Sequence, residues 1–328
     1  MTVSVSLGYW QDRPAEEAFA TARLADALGY PELWIGEMAT YDAFALATAV
    51  GLRTERIALT LGPLAVTVRD PAMIAMGAAS VAAITKRPVG VALGTSSSVV
   101  VEEWHGRSRQ RPPTALAESA RAVRALLDGE RSAVKGEVVA SRGYRLRLPA
   151  PKSPLTVAAF GPAAVQVAAR HADRMVINLV SPRTAADLVA ALTAAAGEAT
   201  RPRVAAWIVA AVDSGPEAID QLRRGIVGYL AAPGYAEMFA REGFGDLVTY
   251  ARTRPHPREL LAAIPDELVA AVGLIDSVAS AQARISDYQA AGVDDVVLVP
   301  ASTDGDPAGE RTLHALAPSP VRPASATG

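Results

Sequence analysis

Glu37 directly follows the apolar run LWIG, and its carboxylate could do chemistry there. A carboxylate at the end of a strand can exchange a proton with a ligand or hold it by hydrogen bonds. A helix-capping or solvated glutamate fits this position equally well. His105, beside Trp104, could also donate or accept a proton, although a lone histidine next to a tryptophan is more often structural.

Residues 94–98, with the sequence GTSSS, could hold carbonyl or phosphate oxygens through backbone N–H groups and hydroxyls. The same composition is common in ordinary loops. Downstream, Arg107, Arg109 and Arg111 alternate with polar residues and form a small cationic edge. This edge would suit an anionic ligand, and without such a ligand it is a solvated charge run.

A Gly-Pro pair directly after another apolar run, at Gly161 and Pro162, is typical of a turn that opens a helix. The free N–H groups of a helix N-terminus attract anions, and the small side chains of Ala163 and Ala164 would let an anion approach closely. The segment therefore predicts an anion site.

A second Gly-Pro pair, at Gly62 and Pro63, interrupts the end of the apolar run over 56–66. Proline cannot donate to a strand ladder, so a bulge is one prediction for this point. An ordinary exit from strand to loop is the alternative.

Apolar runs alternate with Ala- and Leu-rich segments of helical period, which is the pattern of repeated βα units. The runs at 272–277 and 294–300 complete a series that predicts an α/β fold, a (β/α)8 TIM barrel, over a doubly wound sheet. The preceding predicted strands span 3–8, 32–37, 56–66, 89–94, 155–160, 174–180 and 203–212.

Two stretches break this alternation. Residues 130–154 have period-2 patterning around glycines, which predicts a hairpin insertion before strand 5, and residues 215–270 predict a helical insertion after strand 7. We expect residues 1–316 to form one barrel domain. The Pro-, Ala- and Ser-rich end, 317–328, is expected to be disordered.

Composition excludes several classes of function. The 328 residues carry 32 Lys and Arg against 34 Asp and Glu, so no overall basic field would hold nucleic acid or an anionic membrane. Without cysteine, and with four scattered histidines, a protein-ligated metal is not expected. The chain has no signal-peptide pattern and no long apolar run, and we expect a cytoplasmic protein. Nucleotide-binding, zinc-protease and serine-hydrolase motifs are missing.

The succession ELWIGE, LTLGPLAVTVRDPAMIAM, VGVALGTSSSVVVEEWHGRS and VAAFGPAAVQVAARHAD resembles the bacterial-luciferase-like flavin and deazaflavin oxidoreductases. It is most similar to the actinobacterial branch that uses coenzyme F420, and the similarity runs from residue 1 to about residue 300. The resemblance implies a barrel that binds an anionic deazaflavin at the carboxyl ends of its strands. It also implies hydride transfer between this cofactor and a small organic substrate.

The resemblance further implies an acidic residue beside the ring, matched by Glu37, and a bulge with a non-prolyl cis peptide behind it, matched by residues 63–65. Arg107, with Arg109 and Arg111, is expected near the polyglutamate tail of the cofactor. The implied cofactor contacts are Glu37, Gly62, Pro63, Leu64, Ala65, Gly94, Thr95, Ser96, Ser97, Phe160, Gly161, Ala163, Ala164 and Arg107.

We expect Glu37, Ser97 and His105 to be the catalytic residues and to border the substrate cavity. Glu37 would act as general acid or base, and Ser97 would orient the substrate. Met38 stands where the sugar-phosphate dehydrogenase relatives have a catalytic histidine, so that activity is not expected. Two alternatives stay open, an FMN-dependent monooxygenase and a non-catalytic F420-binding protein, with a homodimer as one option for assembly.

Overall fold

The computed structural model describes residues 1–8 and 12–318. In these residues eight parallel strands close into a barrel in the order β1, β2, β3, β4, β7, β8, β9, β11 and back to β1. The predicted TIM barrel is confirmed. The strands are β1 (Thr2–Ser6), β2 (Glu32–Ile35), β3 (Ala58–Ala65), β4 (Val89–Gly94), β5 (Ala133–Lys135), β6 (Ala140–Arg142), β7 (Leu155–Ala158), β8 (Arg174–Asn178), β9 (Arg203–Val212), β10 (Gly273–Asp276) and β11 (Asp295–Pro300).

Helices cover the outside of this barrel, because each crossover between parallel strands must pass across a face of the sheet. Several begin at the predicted signals. Asp70, for example, accepts a hydrogen bond from the N–H of Met73 and opens a helix whose first residue is Pro71. The helices are α1 (Ala15–Ala27), α2 (Ala43–Gly51), α3 (Pro71–Thr85), α4 (Pro112–Leu127), α5 (Pro162–His171), α6 (Pro182–Ala196), α7 (Pro216–Val227), α8 (Tyr235–Phe239), α9 (Gly245–Arg252), α10 (Pro257–Ala263), α11 (Asp266–Val272), α12 (Val278–Ala290) and α13 (Glu310–Ala315). None of the described helices is long and apolar enough to cross a membrane.

The run at 272–277 was counted among the barrel strands in the sequence prediction, and this was wrong. Its strand, β10, pairs only with the last four residues of β9, Val209–Val212. The barrel neighbour β8 pairs with the first half of β9, from Arg203 to Trp207. Because β9 is ten residues long, it has room for a second short partner beyond the end of β8. The eighth barrel strand is β11.

The bulge predicted in the third strand is present. The pairing of β3 with β4 shifts register between Leu61 and Leu64. Gly62 has a φ of 113°, and a Cβ there would lie 2.3 Å from the carbonyl oxygen of Ala92, so glycine is required. The expectation of a non-prolyl cis peptide was wrong, because the cis bond joins Gly62 to Pro63. The tertiary amide before proline tolerates cis geometry far better than an ordinary peptide does.

The predicted hairpin insertion before the fifth barrel strand consists of β5 and β6, which pair antiparallel. Its turn is held by the buried Glu118 of α4, whose carboxylate accepts hydrogen bonds from the N–H groups of Glu137, Val138 and Val139 at 2.7 to 2.9 Å. Burial opposes ionisation of this carboxyl, but the three N–H groups outweigh burial and lower its pKa. The helical insertion after β9 contains α7 to α11. The expected disordered tail lies, from residue 319 onward, outside the described residues.

A buried polar network closes the amino-terminal end of the barrel. The Arg174 guanidinium makes a bidentate ion pair with Glu32, at 2.6 and 2.9 Å, and its Nε donates to Thr156 at 3.2 Å. Asp295 accepts hydrogen bonds from the hydroxyls of Thr2 and Ser4, and burial raises its pKa. These side chains cross the barrel interior, so they identify inward-facing residues of β1, β2, β7, β8 and β11.

Candidate functional site

The carboxyl end of the barrel has a floor of small side chains. Thr156 of β7 points into the barrel, so Ala158, two residues further on, points the same way. A Cβ added to Gly94 would meet the Cβ atoms of Pro63 and Ala158, at 3.2 and 3.6 Å. Gly36 follows the inward-facing Trp34 by two residues. Small residues, namely glycine, alanine and proline, therefore meet at this end of the barrel.

Two tryptophans lie under this floor and fill the middle of the barrel. The rings of Trp34 and Trp207 meet edge to face, with centroids 5.5 Å apart, and the Arg174 guanidinium lies 4.3 Å from the Trp34 ring centre. Both rings are buried. The two rings therefore occupy the middle of the barrel below the small side chains.

At the exit of β2, Glu37 is held by Arg69 from the loop after β3. Arg69 Nε donates to Oε1 of Glu37 at 2.7 Å and Nη2 donates to Oε2 at 2.5 Å, while the N–H of Ala43 donates to Oε2 at 3.0 Å. Both carboxylate oxygens thus have donors. This geometry favours a fixed carboxylate that orients its neighbours.

Arg69 joins two loops at the rim of the mouth. Besides Glu37 it contacts the carboxylate of Asp42, which also caps α2 by accepting from the N–H of Ala45 at 2.9 Å. Hydrogen bonding to Glu37 raises the pKa of Arg69. Burial opposes ionisation of Asp42, but its hydrogen bonds from Ala45 and Arg69 outweigh burial and lower its pKa. Next to this cluster, the buried Oγ1 of Thr67 has no partner among the described residues.

The loop after β4 exposes the hydroxyls that the sequence singled out. Ser96 has a φ of 54°, and its carbonyl oxygen accepts from Nε and Nη2 of Arg109 at 3.0 and 2.8 Å. Ser97 Oγ accepts from the N–H of Val100 at 3.3 Å, at the start of a π-helix over Val99–Trp104. His105 is exposed just after this turn. The structure thus gives Ser97 a local capping contact and places His105 at the surface.

The predicted cationic edge is divided by contacts within the protein. Arg109 is held by the loop carbonyl of Ser96, and Arg111 forms an ion pair with Glu137 of the hairpin turn. The exposed Arg107 makes no such side-chain contact among the described residues. Arg107 is therefore the member of the three most available to an anion.

The exit of β7 opens directly into α5, as the sequence indicated. Gly161 is the N-cap, with φ −79° and ψ 159°, and Pro162 occupies the first turn. The first N–H groups of a helix have no partner within it, and this first turn has no acidic side chain. A Cβ on Gly161 would meet nothing within 4 Å. Gly161, Ala163 and Ala164 thus form an open cradle that suits a phosphate.

Sequence reasoning missed an aromatic cluster at the exits of β7 and β8. Phe160 stacks on Tyr235, with centroids 4.3 Å apart and the planes 30° from parallel. Tyr229 packs against Tyr235 at 4.8 Å, and the Asn178 amide donates to the Tyr229 hydroxyl at 3.4 Å. Phe160 was already an implied cofactor contact, and Asn178 lies on the predicted strand over 174–180. The two tyrosines come from the helical insertion, whose sequence gives no register relative to the barrel.

Comparison with known proteins agrees with this architecture. The model of the luciferase-like monooxygenase family matches residues 2–295, so the chain belongs to that family. It is 25% identical over 227 residues to a 5,10-methylenetetrahydromethanopterin reductase of Methanolobus tindarius, covering 68% of this chain and 69% of the relative.

Two solved structures share the fold. The coenzyme F420-dependent tetrahydromethanopterin reductase of Methanopyrus kandleri superposes with a TM-score of 0.82 at 17% identity, over 97% of this chain and 98% of that one. The oxygenating constituent of 3,6-diketocamphane monooxygenase of Pseudomonas putida, in complex with FMN, gives 0.70 at 16% identity, over 97% and 96%. The fold is thus shared by proteins that differ in cofactor.

Proposed function

We propose that the protein is an F420-dependent oxidoreductase that transfers a hydride between the deazaflavin and a small organic substrate. The observation that carries the proposal is the pairing of the small side chains of Pro63, Gly94 and Ala158 at the carboxyl end of the barrel with an open helix N-terminus at Gly161. A planar ring with an anionic arm matches both features. When bound, the deazaflavin supplies the hydride chemistry.

The chain's own residues would position this cofactor. Residues 62–65 and 94–97 would support and flank the ring, and the N–H groups of α5 would hold the phosphate. The ion pair between Glu37 and Arg69 would hold the two loops at the rim of the mouth together. The Thr67 hydroxyl would be available to form a hydrogen bond. Ser97 and His105 stay predicted neighbours of the substrate.

A matched pair of glycines tests the phosphate cradle. Gly161→Val is expected to weaken F420 binding by about 1 to 3 kcal/mol, roughly 5- to 150-fold in Kd, because the side chain obstructs the backbone donors. Gly215 is also an N-cap before a proline, with φ −78° and open space around its Cβ position, but it begins α7. Gly215→Val should keep wild-type affinity in the same fluorescence titration. Equal affinity of both variants would exclude the cradle.

Removal of the cationic edge formed by Arg107, Arg109 and Arg111 is expected to weaken binding of the cofactor's tail. The triple variant Arg107→Ala, Arg109→Ala, Arg111→Ala should bind long-tailed F420 about 3- to 10-fold more weakly, because exposed ion pairs each contribute only about 0.2 to 1 kcal/mol. The loss should shrink in high salt and with short-tailed cofactor. Titrations with both tail lengths at two salt concentrations measure it. An equal loss of affinity for long-tailed and short-tailed F420 would mean that the tail does not bind at these arginines.

We further propose that the face of α3 contacts a second copy of the chain in a homodimer. Met73, Met76 and Ile84 each expose about half of their surface on this helix, at 49, 49 and 54%. Several large apolar side chains exposed on one helix are typical of an interface. The mass of the protein in solution tests this assembly.

A further inference from the structure

Hydride transfer to a carbonyl requires a proton for the oxygen, and Glu37, the residue predicted as general acid or base, has both carboxylate oxygens engaged. Both carboxylate oxygens of Glu37 accept hydrogen bonds from Arg69. Ser97 Oγ contacts the N–H of Val100, and His105 is exposed on the loop after β4. The mouth offers another hydroxyl, on the opposite side of the β7 exit.

That hydroxyl belongs to Tyr229, and its position is set by Asn178. Arg174 reaches Glu32 across the barrel interior, so Asn178, four residues further along β8, points to the same inside face at the carboxyl end. The Asn178 amide lies 3.4 Å from the Tyr229 hydroxyl oxygen. Tyr229 therefore borders the mouth beside the floor.

The two tyrosines of the cluster use their hydroxyls differently. Tyr235 donates its proton to the backbone carbonyl of Asn178 at 3.0 Å. The Tyr229 oxygen accepts from the Asn178 side chain, and its own proton goes to no acceptor among the described residues. The Tyr229 proton is thus available to a ligand at the mouth, whereas the Tyr235 proton is already engaged.

We propose that Tyr229 is the proton donor to the carbonyl oxygen of a ketone or aldehyde substrate, and that the Asn178 amide orients the Tyr229 hydroxyl. This inference rests on the function proposed above. The hydride, with its two electrons, forms the new C–H bond as the C=O π pair moves to oxygen. That oxygen takes the Tyr229 proton and the substrate leaves as an alcohol. The phenolate then regains a proton from water, while the deazaflavin is left oxidised.

The Tyr229 hydroxyl is in the protonated form that donation requires. Burial raises the pKa of Tyr229, so the hydroxyl stays protonated at neutral pH and is ready to donate. An alkoxide is a stronger base than a phenolate, so the transfer from tyrosine to the nascent alkoxide is downhill. A carbonyl oxygen can accept a hydrogen bond from the Tyr229 O–H.

The test compares Tyr229→Phe with Tyr235→Phe, which removes the neighbouring hydroxyl of the same cluster. Each protein, loaded with reduced F420, is mixed with acetone, cyclohexanone or benzaldehyde, and the return of the oxidised cofactor's absorbance gives kcat and KM. We expect Tyr229→Phe to lower kcat by about 100-fold or more, the usual contribution of a general acid, with KM and F420 affinity within about twofold of wild type. Tyr235→Phe should keep kcat within about threefold.

Each other outcome is decisive. Wild-type protein that fails to bind F420 would overturn the proposed function and this inference together. Wild-type protein that binds F420 but reduces none of the carbonyl probes would overturn this inference alone. Equal loss of kcat in both variants, with native circular dichroism, would reduce Tyr229 to a packing residue, and unchanged kcat in Tyr229→Phe would exclude it as the proton donor.

Discussion

Arg174→Met should lower the free energy of unfolding by about 3 to 5 kcal/mol, because it leaves the Glu32 carboxylate charged and without its partner at the closed end of the barrel. Arg174 also bonds to Thr156 and covers the Trp34 ring, so several contacts are lost together. Equilibrium denaturation with urea measures the change.

A second substitution separates charge from packing in this network. Glu32→Gln in the Arg174→Met background removes the unpaired carboxylate and should recover a large part of the lost stability. A double variant no more stable than Arg174→Met would show that the cost is packing rather than an uncompensated charge. If the free energy of unfolding of Arg174→Met lies within about 1 kcal/mol of the wild-type value, the ion pair adds little to stability.

Gly94→Leu should weaken deazaflavin binding by at least about 100-fold, or about 2.7 kcal/mol, while the barrel stays folded. The Cβ would meet Pro63 and Ala158 at distances that small shifts can relieve, and the rest of the side chain would extend over the floor. The ring could then no longer lie flat. Fluorescence titration measures the loss, and circular dichroism verifies the fold.

Gly94→Ala is the graded control for this prediction, because it adds a single carbon atom at the same position. Its affinity should lie between those of wild type and Gly94→Leu. Wild-type affinity in folded Gly94→Leu would mean that the ring does not rest on this floor.

The regular part of the fold could be predicted because its signals are local. Asp70 and Pro71 are adjacent in sequence and determine where α3 begins, and the uniformly apolar run 89–94 is a strand in full. The placement of β10 could not be predicted in this way. It pairs with β9 alone because of the relative lengths of β8 and β9, which only the assembled barrel reveals.

In the candidate site, too, local features could be predicted from the sequence and contacts between distant residues could not. Gly161 could be recognised because the Gly-Pro turn and the first turn of the helix that follows it lie within a few residues of each other. Arg69 was not recognised, because it meets Glu37 from a position 32 residues away. Tyr229 and Asn178 are 51 residues apart, and their contact depends on how the insertion folds back over the barrel.

Parallel titration of the wild-type protein with F420 and with FMN decides which cofactor the protein binds, because both cofactors have a planar ring and a phosphate. We expect saturable binding of one F420 per chain, with FMN bound at least about tenfold more weakly, a difference of about 1.4 kcal/mol. Tighter binding of FMN would contradict this expectation and favour a flavin-dependent monooxygenase.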